Sequence, residues 1–301
     1  MSNVLVTGGA GFIGSHVVDR LVADGHEVHI LDNFSTGTRE NCNKRAHIHE
    51  ADITDFNSIE PYFAGVDTVF HLAALARIQP SIEDPLPSHE ADVTGTLHVL
   101  WAAKKHGVGK VVYSASSSVY GDQPSLPLTE NMEPHPKNPY AVQKFMGEMY
   151  CNIFTELYGL KTVCLRYFNV YGPRQLVDGA YATVIGIFLE QRAAGVPLTI
   201  VGTGEKRRDF THVRDVVEAN MRAWQHETPP RAVINIGTAR NYSINELAEL
   251  IGGERVHVAD RPGESKETLA DIRVANQLLD WSPRITLEEG ILELKKLHNL
   301  L

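Results

Sequence analysis

Tyr140 and Lys144 stand four residues apart in "NPYAVQK", directly after a proline able to open a helix. Residues at i and i+4 share one helix face. A phenol ordinarily titrates near pH ~10, and a nearby ammonium favours the phenolate and lowers that value. The pair can therefore form a base that works near neutrality. On spacing alone, two solvated side chains on an ordinary helix explain it more simply, so the rest of the chain must decide.

A second constellation lies at the start. "VLVTGGAGFIGSH" places Gly8, Gly11 and Gly14 directly after an apolar run. Glycines at these places permit a tight turn, close approach of backbone to a pyrophosphate, and close helix–strand packing. The helix that follows turns its N-terminus toward the phosphates. Asp32 ends the next apolar run, "EVHILD", 18 residues after Gly14. A carboxylate there accepts hydrogen bonds from both ribose hydroxyls and repels a 2′-phosphate, which favours NAD over NADP. A ligand-free tight turn would explain the glycines, and a strand-end turn would explain the aspartate, but each taken separately.

The elements that must position these residues alternate. "NVLVTG", "EVHILD", "VDTVFHLAA", "KVVYSAS" and "KTVCLRYFNV" read as strands. Helices are expected through "GSHVVDRLVADG", "TGTLHVLWAAKKHG" and "PYAVQKFMGEMYCNIFTELYG". Such alternation predicts an α/β fold, a doubly wound parallel sheet with ligands at the strand C-termini. Beyond Arg166 the pattern loosens. "YGPRQLVDGAY" reads as loop, "ATVIGIFLEQRAAG" as helix, "PLTIVGTGEKRRDFTHV" as strand, turn, strand, and "RAVINIGT" as a further strand. Ser243 with Glu246 forms a capping-box pattern, and "TLEEGILELKKLHNLL" is an amphipathic helix.

Composition narrows the classes. The 301 residues carry 28 basic and 37 acidic side chains, a net charge of −9, and 43% are apolar. That is an ordinary globular content and not the basic balance of a general nucleic-acid binder. Cys42, Cys151 and Cys164 are odd in number and lack C-x-x-C spacing, which predicts neither a disulfide framework nor a zinc site. His47 and His49 in "HIHE" are strand-spaced without further ligands, so no metal is expected. No signal peptide opens the chain and no run of ~18 apolar residues could span a bilayer, so a cytoplasmic location without membrane partners is expected.

Taken in order, T-G-x-x-G-x-x-G, "HLAA" at His71–Ala74, "SASSSVYG", Y-x-x-x-K, "LRYFNVYGPRQ", "RRDFTHVRDV" and "RPGESKETLADI" resemble the extended short-chain dehydrogenase/reductase superfamily. Within it the chain resembles the nucleotide-sugar 4-epimerases of the UDP-glucose (UDP-galactose) group, nearly end to end. The resemblance implies a Rossmann-type NAD-binding domain over residues 1–166 and a smaller α/β nucleotide-sugar-binding lobe over 167–301, with segments around 211–240 returning to the first. It implies an NAD site at Gly8, Gly11, Phe12, Ile13, Gly14, Asp32, Asn33, Asp52, Ile53, Leu72, Ala73, Ala74, Tyr140 and Lys144. Asp52 and Ile53 would flank the adenine. Lys144 would touch the nicotinamide ribose.

For the substrate, a UDP-sugar, it implies Ser116, Ser117, Ser118, Tyr140, Asn169, Arg208, Arg261, Glu264 and Thr268. Asn169, Arg208 and Arg261 would hold the diphosphate, Glu264 the uridine ribose, and Thr268 the surroundings of the sugar C2 substituent. Lys206 and Arg207 read equally as phosphate ligands or as a solvated basic loop. Counting back from V-Y-G, Ser116 takes the catalytic position with Tyr140 and Lys144, Ser117 is the reserve, and Ser118 a third polar contact. Related 4,6-dehydratases carry an Asp-Glu pair in this run and sugar-acid decarboxylases usually a Glu. Three serines point instead to oxidation and return at C4. Alternatives are epimerisation of another nucleotide sugar such as UDP-glucuronate, or a dehydrogenase/reductase that releases its cofactor. A non-catalytic NAD(H)-binding regulator would be expected to lose Tyr140 or Lys144. The family usually has Asn where this chain has Asp92. A homodimer is implied, packed through helices near Pro85–His106 and Pro139–Tyr158.

Overall fold

Strands buried on both faces read as near-continuous apolar runs, and the first strand shows why. Val4 and Val6 point into one core and Leu5 into another, all wholly shielded from solvent. A computed structural model describes residues 1–177 and 182–301. The central strands are β1 (Asn3–Thr7), β2 (Glu27–Asp32), β3 (His47–Glu50), β4 (Thr68–His71), β5 (Lys110–Ser116) and β6 (Lys161–Tyr167). Short strands follow at β7 (Val170–Tyr171), β8 (Leu198–Val201), β9 (Arg207–Arg208) and β10 (Thr211–His212), then β11 (Ala232–Ile236), β12 (Tyr242–Ser243) and β13 (Arg255–Val258). The main sheet has seven strands in the order β11-β6-β5-β4-β1-β2-β3, every neighbouring pair parallel. The α/β doubly wound class expected from the alternation is what the chain adopts.

The helices are α1 (Phe12–Ala23), α2 (Phe56–Ile59), α3 (Ile78–Glu83), α4 (Pro85–His89), α5 (Gly95–Lys105), α6 (Pro139–Tyr158), α7 (Val184–Ala193), α8 (Val213–Gln225), α9 (Ile244–Ile251), α10 (Arg273–Leu279) and α11 (Leu287–Leu297). α1, α8 and α10 cover the Val4/Val6 face, and α5 and α6 cover the Leu5 face. A separate core joins α7, β8, α9 and α11 through Phe188, Ile200, Leu247 and Ile291. α6 is tied to the sheet by a buried two-point ion pair, Arg166 Nε and Nη2 to the Glu148 carboxylate at 2.9 and 2.7 Å. A planar guanidinium suits that bidentate contact.

Three details refine the sequence reading. "KTVCLRYFNV" is not one strand: β6 stops at Tyr167, and Asn169 takes a left-handed φ of 34° before β7 begins. β8 and β9 do follow one another across a turn, but they do not pair: β8 joins β13 and β9 joins β12. Positive φ at Gly202 and Gly204 turns the chain away between them. Of the loop read in "YGPRQLVDGAY", residues 178–181 lie outside the described residues. The capping box at α9 forms, with Glu246 N donating to Ser243 Oγ at 3.0 Å and Ser243 N to Glu246 Oε2 at 2.6 Å. Among the described residues, no helix is long and apolar enough to cross a membrane.

Candidate active site

β1 and β4 are neighbours whose following connections leave in opposite directions along the sheet, the switch point at which such folds open a crevice. The glycine turn fills the end of β1. Gly8 has φ +69°, and a Cβ there would lie 2.6 Å from Ala73 N; a Cβ on Gly14 would lie 2.1 Å from Gly8 O. Backbone therefore packs on backbone where only glycine fits. Asp32, at the end of β2, is 7% exposed. It braces the turn, with Oδ2 accepting Ala10 N at 2.9 Å and Oδ1 accepting Phe34 N at 2.8 Å. Burial pushes its carboxyl up, and those two N–H donors oppose the shift. Asn33 Nδ2 donates to Asp52 at 2.7 Å, linking the ends of β2 and β3.

α6 carries Tyr140 and Lys144 on its first turns. Asn138 caps it, accepting Ala141 N at 2.9 Å, and Pro139 opens it. The helix lies close on β5 because residue 147 is glycine: a Cβ there would stand 2.1 Å from the Tyr113 hydroxyl. Lys144 is 2% exposed, and its Nζ donates to Ser114 O at 2.9 Å, 5.1 Å from the Tyr113 ring centroid. Ser116 ends β5 and receives hydrogen bonds from Ser118 N at 3.2 Å and Ser118 Oγ at 2.8 Å. It is also a hydrogen-bond partner of the Tyr140 phenol.

Lys144 and the nicotinamide charge are expected together to lower the proton affinity of Tyr140. In the chain alone, burial pushes the phenol up to about 12, the Asp92 charge adds to that, and Ser116 and the Arg77 guanidinium oppose it. Lys144 Nζ donates to the Ser114 carbonyl.

All of the residues predicted for cofactor and substrate line one cavity of ≈ 1090 Å³. Arg208 is partly buried and shares Glu264 with Lys206, at 3.4 and 3.5 Å. Burial pushes the Arg208 guanidinium down, opposed by Glu264. Asn169 Nδ2 donates to Asp209 O at 2.8 Å and to Thr268 Oγ1 at 3.2 Å. Thr268 is 7% exposed, and its hydroxyl also accepts Asp209 N at 3.2 Å. Lys206 lines the cavity, whereas Arg207 turns away to Asn241 and Glu246. Arg174 and Arg77 also line it and were given no role from sequence; Arg174 lies in "YGPRQ", a stretch quoted only for its resemblance. His47 and His49 are not in the wall: His49 stacks on Tyr62 and His29 at the sheet edge. Among the described residues no group of His, Cys, Asp and Glu is placed to hold a metal ion.

A parallel sheet with a glycine turn at its switch point, a carboxylate ending the second strand, and a cavity open to both defines a dinucleotide-dependent enzyme of the short-chain dehydrogenase/reductase type. Residues 4–237 match the NAD dependent epimerase/dehydratase family, and the chain belongs to it, with NAD as its cofactor. The glycine turn and Asp32 fit that group, because Gly8, Gly11, Gly14 and Asp32 line the cavity where the close approaches described above leave no room for side chains on Gly8 and Gly14. The chain is 38% identical over 301 residues to a UDP-glucose 4-epimerase of Mycolicibacterium smegmatis, covering 95% of each. It superposes on the UDP-glucose 4-epimerase of Thermotoga maritima with UDP-glucose at a TM-score of 0.92 and 40% identity, covering 96% of each chain. It superposes on a UDP-N-acetylglucosamine 4-epimerase of Methanobrevibacter ruminantium, in complex with UDP-N-acetylmuramic acid, at a TM-score of 0.93 and 38% identity, covering 98% and 97%.

Proposed function

We propose that this protein inverts the C4 hydroxyl of a UDP-hexose, UDP-glucose/UDP-galactose, through a 4-keto sugar. The observation that carries the reading is one cavity holding the glycine turn, the Tyr140–Ser116 pair, and the cations Arg174, Lys206, Arg208 and Arg261. Bound NAD supplies the reversible hydride exchange at C4. Tyr140 takes the proton of the 4-hydroxyl and later returns one to the oxygen at C4, once the sugar has turned its other face to the cofactor. Ser116 hydrogen-bonds the oxygen at C4, and Lys144 holds the cofactor ribose. The Arg208 and Arg261 guanidinium groups hold the diphosphate, about which the 4-keto sugar turns. The net redox change is zero. The serine run, without a carboxylate, supports inversion over elimination of water.

The test is a panel of UDP-sugars incubated with purified protein and no added nucleotide. C4 inversion is the expected outcome. Stoichiometric NADH released into solution, with a requirement for added NAD, would show a dehydrogenase instead.

Substrate range turns on Thr268. Its place in the buried wall supports the reading that a small residue leaves room for a C2 N-acetyl group. Thr268→Tyr should then impair the UDP-N-acetylhexosamine pair selectively, since overfilling a packed site costs ~1–3 kcal/mol, or roughly 5- to 150-fold. Because the hydroxyl also braces Asn169 and Asp209, Thr268→Val separates lost hydrogen bonds from lost space. Equal loss for both sugar pairs in the Tyr variant would remove the gatekeeper role. A homodimer belongs to the same reading. Val142, Met149, Ile153 and Leu157 form an exposed apolar stripe along α6, with Trp101 of α5 beside it. Sedimentation at micromolar concentration should give a dimer.

A further inference from the structure

The segment 260–266, between β13 and α10, brings Arg261 and Glu264 to the cavity wall. Three successive carbonyls of that segment each accept a hydrogen bond from a side chain far away in sequence. Gln79 Nε2 of α3 donates to Pro262 O at 3.0 Å, Asn138 Nδ2 to Gly263 O at 2.9 Å, and Lys137 Nζ to Glu264 O at 3.0 Å. The backbone also comes close: Gly263 has φ +80°, and a Cβ there would stand 2.6 Å from Ile82 Cδ1 of α3. The cavity cations hold the same segment, Lys206 pairing with Asp260 at 2.5 Å and Arg208 with Glu264 at 3.4 Å. One such bond contributes little to stability. Bonds to three consecutive residues fix both the position and the direction of the loop.

Asn138 belongs to this clasp and to the helix of Tyr140. It is 7% exposed, its Oδ1 accepts Ala141 N at 2.9 Å as the cap of α6, and its Nδ2 holds Gly263. Turning the amide over would set donor against donor and acceptor against acceptor, so both neighbours fix its orientation. Aspartate and serine cap a helix about as well. Capping alone therefore does not select an amide here, whereas capping and clasping together do. α3 makes a second link between loop and helix: Ser81, two residues after Gln79, accepts Tyr140 N at 3.1 Å through its hydroxyl.

We propose that Asn138 is a positioning residue: its amide clasps the loop 261–264 over the cavity while capping α6, so that a bound diphosphate is held at a fixed separation from Tyr140. The chemistry gives that separation a use. In C4 inversion the sugar turns while the diphosphate stays, and C4 comes back to the same phenol only if the anchor has not moved. The inference rests on the reading of Arg261 and Glu264 as nucleotide ligands.

Asn138→Asp tests it, because the variant keeps the capping acceptor and loses the donor to Gly263. The first measurement needs no substrate. Cleavage after Glu264 by a glutamate-specific protease is followed by mass in the unmutated protein and the variant, both loaded with NAD. Such cleavage tracks the population of the opened loop, and loss of one hydrogen bond should speed it about 3- to 10-fold. An unchanged rate overturns the inference. The second measurement is the Kd for UDP by calorimetry, beside KM and kcat for UDP-glucose. Kd and KM should rise by a similar factor while the thermal midpoint is retained. A loss confined to kcat, with Kd for UDP unchanged, would mean that Asn138 serves α6 alone and would overturn the inference. Gln79→Ala frees the Pro262 carbonyl without touching the cap and should shift cleavage and Kd in the same direction. It keeps the inference refutable if Asn138→Asp does not fold. Faster cleavage in the variants, with no binding of UDP to the unmutated protein, would sink the nucleotide-sugar reading and leave the clasp standing.

Discussion

Replacing Gly8 by alanine separates two costs that the structure lets one count. Gly8 has φ +69°, and its added Cβ would meet Ala73 N at 2.6 Å, Ala73 Cα at 2.8 Å and Leu72 C at 2.9 Å. Gly25 has φ +86° and nothing within 4 Å of its Cβ. Gly25→Ala should therefore pay the left-handed backbone term alone, about 1–2 kcal/mol. Gly8→Ala adds the collision, typically about 1–3 kcal/mol for an overfilled site, for a total of about 2–5 kcal/mol. The obstacle is the Leu72–Ala73 backbone just past β4, so the turn must lift off the strand end that lines the cavity. Unfolding free energies from urea titration are compared with and without saturating NAD, because bound ligand adds its own stabilisation. Co-purified nucleotide is measured after acid release. Gly8→Ala should lose most of its nucleotide while Gly25→Ala keeps it. Equal destabilisation and equal retention in the two variants would refute the close approach as the reason for glycine.

The remaining predictions follow from single groups. Tyr140→Phe should fold and keep NAD but lose at least ~100-fold in kcat, the low end for general acid–base catalysis; near-normal turnover would remove Tyr140 as the base. Asp32→Ala should narrow the preference for NAD over NADP, about 10- to 150-fold for hydrogen bonds of 1.5–3 kcal/mol to a charged group, read as the ratio of the two Kd values. His71 is 1% exposed between Thr7 and Thr96, at 2.7 and 3.0 Å, and burial pushes it down to about 3. A depressed histidine binds fewer protons folded than unfolded, so its stabilisation is present above the ordinary value of ~6.5 and lost as the pH falls toward the folded value, about 2 kcal/mol by pH ~5. Asp209, pushed up to about 6 by burial, has the opposite sign, so the test is the difference in pH slope between the unmutated protein and His71→Gln: an unchanged slope would contradict it.

Local pattern carried the sheet. "EVHILD" and "KVVYSAS" become β2 and β5 without a residue's difference, because runs covered on both faces are marked by composition at each position. The smaller strands were harder for a physical reason. β9 is two residues long and pairs with β12, more than thirty positions on; nothing local announces a partner that distant. The break at Asn169 is similar. One residue in the left-handed region ends β6 in the middle of an apolar run, and asparagine is only one of several residues that tolerate it.

The candidate site was legible wherever a residue type and a chain position sufficed, and not where charges had to be balanced in space. Spacing placed Tyr140 and Lys144 on one face, which they share, but not the direction of the ammonium, which the Ser114 carbonyl sets. Lys206 and Arg207 looked alike in "EKRR", yet adjacent side chains on an extended strand point to opposite faces. Lys206 meets the cavity and Arg207 meets Glu246. Asp92 is the clearest case. As a letter it is a departure from asparagine. As a position it is a carboxylate sealed against the Leu75 amide with one oxygen unpartnered among the described residues, and burial pushes its carboxyl up, a balance that only the packing around it sets.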